Sequence, residues 1–110
     1  MRVPNAENAV VDIRKLRDYC LNPNHEVGKH KARVFAATLN LTEKDALILQ
    51  AALLEAVKTV ETEIGKLDKY GQRFTVDFEF EYEGKHAVIR SGWIIDAGAE
   101  IPRLVTCLIF

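Results

Sequence analysis

The spacing of apolar residues along the chain changes from a helical period to a strand period near residue 65. Before that point apolar side chains recur every three or four residues, which predicts amphipathic helices. After it, apolar and polar residues alternate, which predicts strands. The pattern therefore predicts an α+β fold, with helices first and an antiparallel β-meander second, in a single domain spanning residues 1–110.

Three helices are predicted in the first half, after an irregular lead-in over residues 1–10. Asp12 can cap the first helix, and Pro23 forces it to end because proline disfavours the α conformation of the residue before it. Asn40 is a plausible C-terminal cap for the second, and Thr42 with Asp45 resembles a capping box for the third. The predicted helices start at Asp12 and end at Leu21–Asn22, run from Lys29 to Leu39, and start at Thr42 and fade near Thr62–Gly65.

The strongest strand signal is the strict alternation from Arg73 to Tyr82. Glu83-Gly84 reads as a two-residue hairpin turn, and the return strand runs from Lys85 to Ile95. The turn fixes the register, so we expect these cross-strand neighbours: Tyr82 with Lys85, Glu81 with His86, Asp77 with Arg90, and Phe74 with Trp93.

Two further segments complete the predicted sheet of three to four strands, on one face of which the helices pack. Arg103–Phe110 forms a last strand, and Leu67–Tyr70 a short additional one. The last strand is apolar on both faces, which is typical of a central strand or of one covered by another subunit. A homodimer through this strand is therefore favoured.

Composition narrows the class of protein. The 110 residues are 48% hydrophobic and 28% charged, which is too rich in core-forming residues for a disordered chain. The net charge of −1 argues against a surface that is basic all over. Cys20 and Cys107 both lie in apolar contexts, so we predict two buried free thiols. No apolar stretch suits a signal peptide or a membrane helix, so a cytoplasmic protein is predicted.

The segment His25–Arg33 is the most unusual in the chain, because five of its nine residues are basic or histidine. It lies where a loop leads into the predicted second helix. Unpaired amides and the helix dipole make such a position favourable for an anion such as phosphate. A solvated, charged helix face is the alternative, and the residues alone leave both interpretations open.

Two side chains have both a chemical and a plain structural interpretation. His25, in a loop rich in turn formers, suits proton transfer at neutral pH, but it can equally be an ordinary exposed loop residue. Arg90 can hold a phosphate with its planar guanidinium, or it can form a surface ion pair with Asp77. The spacing of the three histidines matches no standard zinc pattern, so no metal is predicted.

The run from Leu16 to Phe35 resembles a bacterial domain family of unknown function. It contains Tyr19, Leu21-Asn22-Pro23, His25, Gly28, Lys31-Ala32 and Phe35, in the pattern Y-x-L-N-P-x-H-x-x-G-x-x-K-A-x-x-F. Segments around Tyr70-Gly71, Val88–Ile94 and Pro102–Thr106 resemble the family too, so the likeness covers nearly the whole chain. Similar domains occur alone and at the ends of toxin-like and phage-related proteins. More remotely, the arrangement resembles metal-independent ribonuclease toxins of the barnase and RelE type.

The resemblance implies a set of site residues and a chemistry that needs no metal or cofactor. His25 would be a general acid/base for attack of an RNA 2′-hydroxyl on phosphate, with Thr106 positioning a phosphate oxygen. Lys29, Lys31 and Arg90 would bind phosphate, and Lys31 and Arg90 would stabilise the transition state. Two functions remain open: an RNA-cleaving, toxin-like domain, and a non-catalytic interaction or structural module, phage- or defence-associated, with a protein partner.

Overall fold

The computed structural model describes residues 1–110, and all its helices precede its strands, which confirms the predicted α+β class. The strands form one antiparallel sheet in sequential order. No helix is both long enough and apolar enough to span a lipid bilayer. The helices are α1 (Ile13–Lys15, continued by a π-helical turn, Leu16–Cys20), α2 (Lys29–Leu39) and α3 (Ala46–Thr59); the strands are β1 (Glu63–Asp68), β2 (Gly71–Tyr82), β3 (Lys85–Asp96) and β4 (Arg103–Ile109).

Local capping signals set the helix boundaries. The Asp12 carboxylate accepts a hydrogen bond from the Arg14 amide at 3.0 Å, which caps α1. Asn40 ends α2 in the left-handed conformation, with φ of 56°. Thr42 and Asp45 form the reciprocal capping box, and a short 3₁₀ turn separates them from α3. These signals lie within a few residues of the ends they define, so the sequence revealed them.

The β2–β3 hairpin has the predicted register along its whole length. Glu83 and Gly84 adopt φ of 49° and 81°, the left-handed pair that a tight two-residue turn requires. The turn places Asp77 beside Arg90. The other predicted neighbours are also confirmed: Tyr82 with Lys85, Glu81 with His86, and Phe74 with Trp93.

β1 differs from its prediction in position. A short strand was expected at Leu67–Tyr70, whereas β1 spans Glu63–Asp68 and pairs with the start of β2. It lies at an edge of the sheet, and no residue in it is buried. A strand without a buried face has no alternating apolar pattern, so the period-2 signal that identified β2 was missing here.

β4 was expected to be central or covered, and the expectation of a central strand is wrong, because β4 forms the other edge of the sheet. Its inner face is fully buried through Leu104 and Cys107, which accounts for part of its apolar character. Val10, from the lead-in, adds one parallel bridge at Arg103, and its amide donates to the Pro102 carbonyl at 2.9 Å. The lead-in therefore covers the first part of the edge.

The core lies between the helices and the inner face of the sheet. Ser91 is a buried polar residue there: its hydroxyl donates to the Val76 carbonyl at 2.8 Å and accepts from the indole of Trp93 at 2.9 Å. Both cysteines are buried and free, as predicted. The fully buried large side chains include Leu16, Phe35, Leu39, Leu49, Leu53, Ile89, Trp93 and Leu104.

Candidate functional site

An open cleft of about 820 Å³, which we call the His25 cleft, lies beside α1 and its π-helical turn. The loop before α2, the first turn of α2 and the middle of β4 contribute its other walls. Its volume is within the range typical of ligand sites. The lining residues are Asp12, Arg14, Lys15, Asp18, Tyr19, His25, Lys31, Val105 and Thr106.

The imidazole of His25 is held by the backbone at the start of α2. Its Nδ1 atom accepts hydrogen bonds from the amides of Val27, at 3.0 Å, and Gly28, at 2.9 Å. The neutral ring therefore carries its hydrogen on Nε2, where it is a donor. The Lys29 amide donates to the His25 carbonyl at 2.9 Å. Three amides that were expected to be available for an anion are thus bonded to His25 itself.

Lys31 and Tyr19 form the second polar group in the cleft. The Lys31 ammonium donates to the Tyr19 hydroxyl at 3.0 Å and lies 5.1 Å from the centre of the Tyr19 ring. The Tyr19 and His25 rings meet edge to face, with centroids 4.8 Å apart and planes at 85°. Tyr19 therefore contacts two of the side chains to which the family resemblance gave a role in phosphate chemistry, His25 and Lys31.

Gly28 allows the His25 loop to approach the π-helical turn. A Cβ atom at this position would lie 2.2 Å from the Tyr19 carbonyl oxygen, which is well inside van der Waals contact. The φ of Gly28 is −74°, so the glycine is required by this close approach and not by its backbone conformation. The resemblance drew attention to Gly28, and the structure supplies the physical reason for a glycine.

The carboxylates in the cleft are neutralised by neighbouring arginines. Arg14 binds Asp12 through two hydrogen bonds to its side chain, and this contact lowers the pKa of Asp12 to about 2. Arg17 likewise donates two hydrogen bonds to the Asp18 carboxylate and lowers the pKa of that group. Lys15 has no ion-pair partner. The same holds for Lys31, so two uncompensated cations remain to attract an anion.

Thr106 lies at a β-bulge on β4, and its Oγ1 atom is buried without a hydrogen-bond partner. Its side chain lies next to the thiol of Cys20. Contact with Cys107 lowers the pKa of Cys20, and contact with Cys20 raises the pKa of Cys107. The unpartnered hydroxyl is unusual, because most buried polar atoms have a partner.

Arg90 does not join these residues. Its guanidinium binds Asp77 through two hydrogen bonds, at 2.9 and 2.8 Å, and lies 3.9 Å from the centre of the Phe110 ring. It occupies the outer face of the sheet, since its neighbour Ile89 points into the core. The expectation that Arg90 converges with His25 is therefore wrong, whereas the ion pair with Asp77 is present.

Lys29 also lies outside the cleft. It lines a separate depression with Leu21, Pro23 and Ala32, on another side of α2. Of the predicted site residues, His25, Lys31 and Thr106 are brought together, and Lys29 and Arg90 are not.

Among the cleft residues that sequence reasoning did not assign to the site, Tyr19 and Lys15 bear most directly on anion binding. Tyr19 stood inside the quoted motif, six residues before His25, and its inclusion in that pattern was the available signal. Lys15 had none, because a lysine on the polar side of a short helix is ordinary. The structure has no group of three or more His, Cys, Asp or Glu side chains arranged to hold a metal ion.

Comparison with known proteins places the chain in a family. The sequence profile of DUF6883, described as a domain of unknown function, matches residues 2–110. The chain is a DUF6883 domain. This finding confirms the resemblance to a family of unknown function. No curated protein matches the DUF6883 domain in sequence.

The fold of this DUF6883 domain is similar to that of a solved chain from a contact-dependent growth inhibition toxin–immunity protein complex of Klebsiella pneumoniae 342. The TM-score is 0.71 at 17% sequence identity, and the match covers 92% of this domain and 99% of the other chain. At this identity the similarity concerns the fold.

Proposed function

We propose that this DUF6883 domain is a toxin-like ribonuclease that binds RNA in the His25 cleft and cleaves it without a metal ion, in the cytoplasm. The observation that carries the proposal is the meeting of His25, Lys31 and Thr106 in one cleft, although they come from separate segments. The fold it shares with a chain of a toxin–immunity complex supports the toxin-like part.

The cleft offers hydrogen-bond donors to a phosphodiester. The Nε2–H group of His25 and the ammonium of Lys31 bind the non-bridging oxygens. Thr106 lines the same cleft, and because its hydroxyl is buried in the free protein, its side chain rotates towards the cleft to position another oxygen. Donors fixed in this way stabilise the charge that grows on a phosphorane-like transition state. His25 acts as a donor here, and not as a general base, because its neutral ring has no lone pair at Nε2.

The proposed reaction is an internal transesterification. The 2′-oxygen forms a bond to phosphorus, the bond from phosphorus to the 5′-oxygen breaks, and the products are a 2′,3′-cyclic phosphate and a 5′-hydroxyl. The proton of the 2′-hydroxyl leaves to solvent, since Asp12 and Asp18 are both held by arginines. The Lys31 ammonium gives a proton to the leaving oxygen and regains one from solvent.

The test is incubation of the purified protein with RNA in the presence of a chelator. We expect cleavage by the wild type, a loss of about 10²- to 10³-fold in His25→Ala, and no change in His30→Ala. His30 is a matched control, because it is an exposed histidine on α2 that does not line the cleft. Absent cleavage, or equal cleavage by wild type and His25→Ala, would contradict the proposal.

The edge position of β4 favours a second candidate, a non-catalytic interaction module. Phe110 is 69% exposed at the end of this strand, and Leu108 on the same face is only half-buried. A protein partner or a second copy of the chain would cover them. Light scattering should then show a complex that Leu108→Glu dissociates, and a monomeric wild type would count against the homodimer.

A further inference from the structure

We propose that Tyr19 is a substrate-binding residue of the His25 cleft, whose hydroxyl donates a hydrogen bond to a phosphate oxygen of bound RNA. The inference rests on the proposed function, because it adds a residue to the same site. Tyr19 supplies the further phosphate contact that the sequence assigned to Arg90, which is bound to Asp77 on the outer face of the sheet.

The position of the phenol oxygen supports this role. Lys31 donates to it at 3.0 Å, and no other protein group bonds to it. An ammonium has donors and no acceptor, so the tyrosine oxygen must be the acceptor in this contact. The hydrogen of the phenol is therefore free, and Tyr19 lines an open cleft. A phosphate that reached Lys31 would meet two adjacent donors.

The ring of Tyr19 has a separate task. It lies edge to face against His25, with centroids 4.8 Å apart, so it supports the imidazole from the side. A tyrosine that only supported His25 would need its ring and not its hydroxyl. Tyr19→Phe removes the hydroxyl and keeps the ring, so this variant separates phosphate binding from support of the loop.

Binding can be measured apart from cleavage with a 2′-O-methyl oligonucleotide, which has no 2′-hydroxyl to attack the phosphate. We expect Tyr19→Phe to weaken its binding by about tenfold or more, measured by fluorescence anisotropy at low salt, because a hydrogen bond to a charged group is lost. Cleavage of the matching RNA should fall at least as much.

Tyr70→Phe is the matched control. Tyr70 is an exposed tyrosine with a lysine ammonium, that of Lys69, 5.2 Å from its ring centre, and it does not line the cleft. Its hydroxyl should be dispensable for binding and cleavage. NMR shifts of the His25 ring protons should be the same in Tyr19→Phe and the wild type, which would show that the loop is intact.

The outcomes separate this inference from the proposed function. If the wild type binds and cleaves, His25→Ala does not, and Tyr19→Phe equals the wild type, only the role of Tyr19 is overturned. If Tyr19→Phe loses binding but also displaces the His25 resonances, its role is support and the hydroxyl contact is overturned. If the wild type neither binds nor cleaves, both proposals are overturned.

Discussion

Replacing Gly28 by alanine is the most direct perturbation of the His25 cleft. The new Cβ atom would start 2.2 Å from the Tyr19 carbonyl oxygen, and ordinary contact begins at 3.4 Å. The loop and the π-helical turn must therefore separate by about 1.2 Å. The Tyr19 carbonyl oxygen is a backbone atom and the new Cβ atom is bonded directly to the backbone, so a side-chain rotation cannot relieve the clash.

The expected cost has two parts. Overpacking of this kind destabilises by about 1–3 kcal/mol, and Tm falls by about 4 °C per kcal/mol in a domain of this size. A displacement of about 1 Å at a catalytic group also lowers the rate by about 10²-fold. Because the φ of Gly28 is −74°, backbone strain adds nothing to these figures.

Thermal unfolding followed by circular dichroism measures the first part, and NMR shifts of the His25 ring protons report its distance from the Tyr19 ring without any assumption about activity. Val27→Ala is the control, because its exposed side chain is shortened while its amide still donates to His25. If Gly28→Ala matched the wild type in Tm and in the His25 shifts, the reasoning about the close approach would be refuted.

Three further predictions concern the fold. Ser91→Ala should cost about 1–3 kcal/mol in urea unfolding, because it leaves the buried Trp93 indole without its acceptor; an unchanged midpoint would contradict this. Glu83→Asn should raise the free energy of unfolding by up to about 1 kcal/mol, since asparagine tolerates the φ of 49° better than glutamate does. If Glu83→Asn did not stabilise the protein, the turn would not require the left-handed conformation at this position. The folded pKa of Asp12, about 2, lies below its ordinary value of 3.8, so its contribution to stability is present above about pH 4 and is lost as the pH falls towards 2. Asp12→Asn keeps the cap acceptor but does not titrate, so its Tm should fall less than that of the wild type between pH 4 and 2. Equal decreases in Tm would contradict the role assigned to the Asp12 carboxylate.

The elements with strong local signals could be predicted from the sequence. Pro23, Asn40 and the Thr42–Asp45 capping box defined helix ends, because each acts within a few residues of itself. The hairpin register followed from the two-residue turn, and with it the Asp77–Arg90 neighbours. β1 escaped prediction, because an exposed edge strand has no face whose burial would impose alternation.

The site was predicted in part for the same reason. His25 and Lys31 lie in one motif that spans the loop before α2 and its first turn, and the family resemblance singled out both. The cross-strand register had already placed Asp77 next to Arg90. Two of the guanidinium nitrogens of Arg90 donate to the Asp77 carboxylate, so few donors remain for a phosphate. The ion pair was the simpler interpretation and is the one present.

By itself the sequence determined the fold class, the limits of α2 and the pairing of β2 with β3, because backbone preferences and side-chain period act over short distances. Only the tertiary structure decided that Tyr19 contacts both His25 and Lys31, and that Thr106 reaches the same cleft from β4. It also decided which nitrogen of His25 carries the hydrogen, through the amides that bond to the other. Such contacts depend on how distant segments pack, and no local pattern of residues specifies that.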